Sequence, residues 1–211
     1  MPHNQINTLI WDLGGVLIDW NPDYVYRHIY PDPEERKWFF DNVCTHAWNL
    51  RQDAGRSLQE ATEEKIAEWP EYEEQIRVFY GRWEEMLGGP IAESVDLLRG
   101  LKSQHHLRLL ALTNWSHETF PVALERYEFL QWFEGIVVSG VEKVVKPQRE
   151  IFEILLHRYG VNPAHSAFID DNAMNVAGAI SLGISGIHFT SPAQLVLALR
   201  SIGMDVHIPL F

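Results

Sequence analysis

From Ile91 to Ser201 the chain alternates with a regular beat. Helical spacing over about 91–104 gives way to a short apolar run at 107–112, and helical spacing at about 117–130 to another run at 135–138. The same exchange recurs with a helix over about 148–159 and a run at 166–170. A helix over about 172–182, a run at 185–189 and a last helix over about 192–201 follow. Short apolar runs alternating with amphipathic segments predict βαβ units, and those demand a parallel sheet with helices on its faces. One more apolar run, 8–12, stands far upstream and ends at Gly14-Gly15.

The stretch between that first run and the array has a different character. Residues 21–90 are rich in Glu and aromatic side chains, show helical spacing and carry almost no strand signal. Pro31-Asp32-Pro33-Glu34-Glu35 has the proline and acids of a helix start, and Ser57-Leu58-Gln59-Glu60 has capping-box spacing. Pro70 interrupts or begins a helix, and Gly88-Gly89-Pro90 reads as a break and linker. The expected organisation is one α/β core, 1–20 and 91–211, with 21–90 as a helical insertion after the first strand. Eight tryptophans suit core and insertion packing.

The residues that end the apolar runs carry chemistry. Thr8-Leu9-Ile10-Trp11 leads to Asp12, and Leu109-Leu110-Ala111-Leu112 leads to Thr113-Asn114. Lys146-Pro147 comes soon after the 135–138 run, and Ala167-Phe168-Ile169 leads to Asp170-Asp171. Ligands of parallel α/β sheets bind outside the carboxyl ends of the strands. One rim would therefore collect a carboxylate, a hydroxyl, an ammonium and a carboxylate pair. A carboxylate can attack phosphorus, and a hard cation such as Mg²⁺ would let two negative groups meet. Asp12, Asp170 and Asp171 are the candidate carboxylates, with a helix N-cap as the competing role for the last two. Thr113 and the N–H that follows it could hold phosphate oxygens. Lys146 could offset charge, with Lys143 as the rival lysine.

Other chemistries lack their signatures. No G-x-S-x-G elbow, Walker loop, G-x-G-x-x-G or H-E-x-x-H is present. His105-His106 reads as exposed, and His117 could face the rim or the solvent. A net charge of −12 disfavours nucleic acid and anionic membrane surfaces. The run 9–20 is interrupted by Asp12 and Asp19 and has no basic flank, so neither a signal peptide nor a span is expected. Cys44 is the single cysteine, so no internal disulfide forms. The expected location is the cytoplasm.

Asp12 with Leu13-Gly14-Gly15-Val16-Leu17-Ile18-Asp19, Thr113-Asn114, Lys146-Pro147 and Phe168-Ile169-Asp170-Asp171-Asn172 through Asn175 resemble the haloacid dehalogenase superfamily in residue type and order. The resemblance spans essentially the whole chain. It implies a Rossmann-like parallel sheet flanked by helices, with 21–90 as a cap. It also implies a Mg²⁺-dependent hydrolase acting on a small phosphorylated metabolite, a sugar phosphate among the candidates. Asp12 would be nucleophile and metal ligand, Thr113 and Asn114 would bind phosphate, and Lys146 would stabilise both. Asp170 and Asp171 would hold the metal, Asp171 directly, and Gly14 would offer its backbone carbonyl. Gly14 is the main departure, because most phosphatases of the superfamily place an acid/base aspartate there. Openings of the Asp-Leu-Gly-Gly kind resemble those of a bacterial α-D-glucose-1-phosphatase subgroup. A 2-haloacid dehalogenase and a non-catalytic phosphate- or partner-binding protein are the alternatives. Arg51, Gln52 and Arg56, flanking Asp53-Ala54-Gly55, are the expected substrate contacts from the insertion, Arg51 foremost. No oligomeric state follows from the residues.

Overall fold

The computed structural model describes residues 6–206; the expected core ends at 1–5 and 207–211 lie outside it. In chain order the elements are β1 (Thr8–Trp11), β2 (Ile18–Trp20), α1 (Asp23–Tyr26), α2 (Pro33–Asn42), α3 (His46–Asp53), α4 (Leu58–Glu68) and α5 (Glu73–Gly81). Then come β3 (Leu87–Pro90), α6 (Ala92–Lys102), β4 (Arg108–Thr113), α7 (Phe120–Arg126), β5 (Gly135–Val138) and α8 (Ser139–Glu142). The chain continues with α9 (Arg149–Tyr159), β6 (Ser166–Asp170), α10 (Ala173–Ile180), β7 (Ser185–His188) and α11 (Pro192–Ser201).

Five strands form one parallel sheet in the order β5-β4-β1-β6-β7. The continuous apolar runs are explained by burial on both faces. Successive side chains point to opposite faces, and the core divides accordingly. Leu9, Trp11, Leu109, Ala111, Ala167 and Ile169 pack on one side with α6, α7 and α11. Ile10, Leu110, Leu112 and Phe168 pack on the other with α9 and α10. Because β1 lies at the centre, between β4 and β6, its carboxyl end is flanked by theirs.

Residues 23–86 are helical and build their own core from Tyr26, Phe39, Trp48, Ile76, Phe79 and Met86. Cys44 is buried there, its thiol pushed up to about 12 by burial, which keeps it inert. Side-chain caps start three of the helices: Asp32 accepts from the Glu34 N–H, Thr45 from Trp48 and Ser57 from Glu60.

Two expectations need correction. Gly88-Gly89-Pro90 is not a linker but part of β3, paired antiparallel with β2. Glycine has poor strand propensity, yet a side chain at Gly88 would collide with the Asp19 carboxylate and the Tyr24 ring. Close approach, not flexibility, explains that glycine. The helix expected over 117–130 is shortened to α7 and followed by a tight helical turn at Glu128–Trp132.

Candidate active site

Asp12, Thr113 and Asp170 stand at the carboxyl ends of three adjacent strands, β1, β4 and β6. They meet Lys146, which arrives from the loop after α8 and is only 2% exposed. Its ammonium lies 2.8 Å from Asp12 Oδ1 and donates to Asp170 Oδ2 at 2.7 Å and to the Leu112 carbonyl at 2.9 Å. Three acceptors match the three donors of an ammonium group. Lys143 does not line the cavity at this rim, whereas Lys146 does. Asn114 explains the placement. Its carboxamide accepts from the Lys146 N–H at 2.8 Å and donates to the Lys146 carbonyl at 3.1 Å. The Asn114 side chain thus positions the lysine, which leaves only its backbone N–H for a ligand.

The two C-terminal aspartates have different surroundings. Asp170 is fully buried and accepts from Lys146, from the Asn172 N–H at 2.8 Å and from Asn175 Nδ2 at 3.1 Å. Asp171 is exposed at the rim. Neither caps α10, because Asn172 does so by accepting from the Met174 N–H. A side chain on Gly15, whose φ is +72°, would run into the Asp171 carboxylate, so the turn after β1 closely approaches it.

Asp12, Asp170 and Asp171 each offer an oxygen within 4.8 Å of the others. The set is hard and anionic, the type that holds a divalent cation. Electrostatics agree. Burial pushes the Asp12 carboxyl upward and Asp170 adds to this, against the pull of Lys146. Burial, then Asp170, likewise raises Asp171. Burial opposes the charge on Lys146, but Asp12 and Asp170 outweigh it and hold its pKa up. Three carboxylates around one ammonium leave an excess of negative charge that a cation would relieve.

Above the rim lies a cavity of about 430 Å³, within the usual range for small-molecule sites. Its walls include Trp20, Tyr80, Trp83 and Trp115, and its floor includes Asp12, Gly14, Thr113 and Lys146. From α3 come His46, Asn49, Leu50 and Asp53. These occur at i, i+3, i+4 and i+7, one face of a helix. That spacing was the available signal for them.

Arg51 sits one residue off this face. It does not line the cavity; it is exposed and lies 3.8 Å from Glu64 of α4. Arg56 pairs with the same glutamate. Gln52 is buried, donating to the Trp48 carbonyl and to Tyr80. His117 is exposed and outside the cavity lining. The residues of this segment that line the cavity are therefore neighbours of the ones expected to. Asp53 among them accepts from Asn49 Nδ2 at 3.2 Å and from the Ser116 N–H. Burial pushes its carboxyl up to about 7, against the pull of the Ser116 N–H and Lys146.

The sequence profile of the haloacid dehalogenase-like hydrolases matches residues 6–183. The chain belongs to this hydrolase family. A sesquiterpene phosphatase of Aspergillus oryzae is 25% identical over 193 residues, covering 92% of this chain and 94% of its own. A phosphorylated carbohydrates phosphatase of Thermotoga maritima is 24% identical, covering 87% and 84%. A haloacid dehalogenase family enzyme from Bacteroides thetaiotaomicron, solved with magnesium and inorganic phosphate, is 25% identical with a TM-score of 0.65. That match covers 86% of this chain and 93% of the other. Among the described residues no helix is long and apolar enough to cross a membrane.

Proposed function

We propose that this hydrolase is a Mg²⁺-dependent phosphatase that cleaves a small organic phosphate monoester through an aspartyl-phosphate on Asp12. The observation that carries the reading is the position of Asp12. Its carboxylate is held by Lys146 and by the Leu13 N–H at 2.7 Å, beside two further carboxylates and at the floor of a cavity. Asp12, Asp171 and the Gly14 carbonyl would hold the metal, with Asp170 fixing Lys146 behind them. Mg²⁺ bound there supplies the positive charge that lets a phosphate dianion approach a carboxylate.

The chain's own residues do the rest. The Thr113 hydroxyl and the Asn114 N–H hold phosphoryl oxygens. Lys146 balances the charge that passes from Asp12 to phosphorus. Residues 21–90 act as a cap whose α3 face, Tyr80 and Trp83 join Trp20 and Trp115 of the core to surround the leaving group and exclude water. Lys146 is the only lysine or arginine lining the cavity among the described residues. This favours a monophosphate with an uncharged organic part over a substrate with a second phosphate. Four aromatic side chains suit either a sugar face or a hydrocarbon, the two substrate types in the names of the relatives. Asp170 and Asp171 count against dehalogenation, since attack on an anionic haloacid gains nothing from added negative charge.

The test is phosphate release from a panel of sugar and isoprenoid monophosphates, with and without Mg²⁺. Wild type should turn over part of the panel only with the metal, and Asp12→Asn none of it. Activity that survives Asp12→Asn would remove Asp12 as nucleophile.

A further inference from the structure

We propose that Asp53 is the proton donor and acceptor whose usual place is vacated by Gly14, an inference that rests on the phosphatase reading above. Gly14 and Asp53 line the same cavity as Asp12 and Lys146. Three carboxyl groups line it among the described residues: Asp12, Asp171 and Asp53. The first is the nucleophile and the second faces the metal. Asp53 is the one left for proton transfer.

Its placement suits that work. Asp53 is the last residue of α3, yet it is tied to the core at two points. Its carboxyl accepts from the Ser116 N–H, and its backbone carbonyl accepts from Ser139 Oγ at 2.5 Å. Ser116 lies on the loop that leaves Thr113-Asn114, so the carboxyl is anchored beside the segment that holds the phosphoryl group. The titratable and charged groups around it are Lys146 from the core, Tyr80 from α5, Glu118 beyond Tyr80 and His46 on its own helix. Burial holds the Asp53 carboxyl at about 7, so acid and base forms coexist near neutrality, as proton transfer in both directions needs.

The steps balance. Asp12 attacks phosphorus, the bond from phosphorus to the leaving oxygen breaks, and that oxygen takes the Asp53 proton. The ionised Asp53 then takes a proton from water as the water oxygen bonds to phosphorus and the bond to Asp12 breaks. Inorganic phosphate departs and Asp53 is protonated again.

The experiment compares wild type with Asp53→Asn, both with Mg²⁺, on para-nitrophenyl, phenyl and alkyl phosphates. The alkyl ester, with its poor leaving group, should lose about 10²–10⁴-fold in kcat, the usual worth of general acid–base help. The para-nitrophenyl ester should lose far less in its cleavage step, measured as the burst of phenolate. Asp53→Glu should recover part of the loss. Equal losses on every ester would mean that Asp53 only docks α3 on the core, and no loss would also overturn the proposal. Wild type supplies an independent reading if the variant does not fold. Above about pH 7 its rate on the alkyl ester should fall while the para-nitrophenyl burst holds, and parallel profiles would overturn the proposal. If wild type cleaves no ester at all, the phosphatase reading itself fails. If it does and only the leaving-group selectivity is missing, that reading stands without Asp53.

Discussion

Replacing Lys146 by methionine keeps the aliphatic stem, whose ammonium end lies 5.5 Å from the Phe168 ring centre, and removes the charge. Two carboxylates at 2.8 and 2.7 Å and a carbonyl at 2.9 Å then lose their partner in a place with almost no water. Breaking a buried ion pair from one side costs about 3–5 kcal/mol, because the stranded charge remains. For a chain of this size that lowers Tm by roughly 6–20 °C. The loss must depend on pH. Without the ammonium, the folded pKa of Asp12, already raised by burial, rises further above its unfolded value. Groups raised on folding contribute stability at low pH and lose it as pH rises through the folded pKa. Lys146→Met should therefore come nearest wild type near pH 5 and fall furthest behind it near pH 9, beyond the value of about 8 to which burial pushes the Asp12 carboxyl in wild type. Urea unfolding of both proteins in EDTA at the two pH values measures this. A deficit under about 1 kcal/mol at the higher pH, or one that grows on acidification, would refute the argument.

Two further outcomes follow from the cavity. Trp83→Ala removes part of a wall and should alter the ranking of substrates by kcat/KM, whereas Arg51→Ala, outside the lining, should leave that ranking unchanged. Asp53→Asn should gain stability over wild type as pH rises, because wild type alone must ionise a buried carboxyl. Between an ordinary value of 3.8 and about 7, the full linkage amounts to about 4 kcal/mol at most. Denaturant midpoints that run parallel from acid to neutral pH would contradict it.

The residues that converge at the rim were legible because each ends or follows a short apolar run, and the parallel sheet brings those ends together. Asp12, Thr113, Asp170 and Asp171 needed no more than that to be placed at the rim, whereas Lys146 could not be told from Lys143 until the cavity lining was seen. The different surroundings of Asp170 and Asp171 were less visible. They depend on Asn175 and the Asn172 N–H reaching back to Asp170, a contact that strand order alone does not reveal. The α3 face was missed for a rotational reason. Arg51 and Asp53 are only two residues apart, but at about 100° per residue that turn separates what looks into the cavity from what looks into solvent. The basic residues drew attention because phosphate is anionic, while the lysine that lines the cavity is Lys146, at its floor. The β2–β3 pairing escaped notice because a Gly-Gly-Pro run has little strand character of its own, and a crowding carboxylate and ring dictated it instead.

That pairing has an architectural consequence. The chain departs from the core along one thread and returns along the adjacent one, so everything between hangs from a two-threaded stem. Lengthening, shortening or swapping the helices beyond the stem would leave the spacing of its roots untouched. New chemistries of recognition could then be grafted onto an unchanged reaction floor.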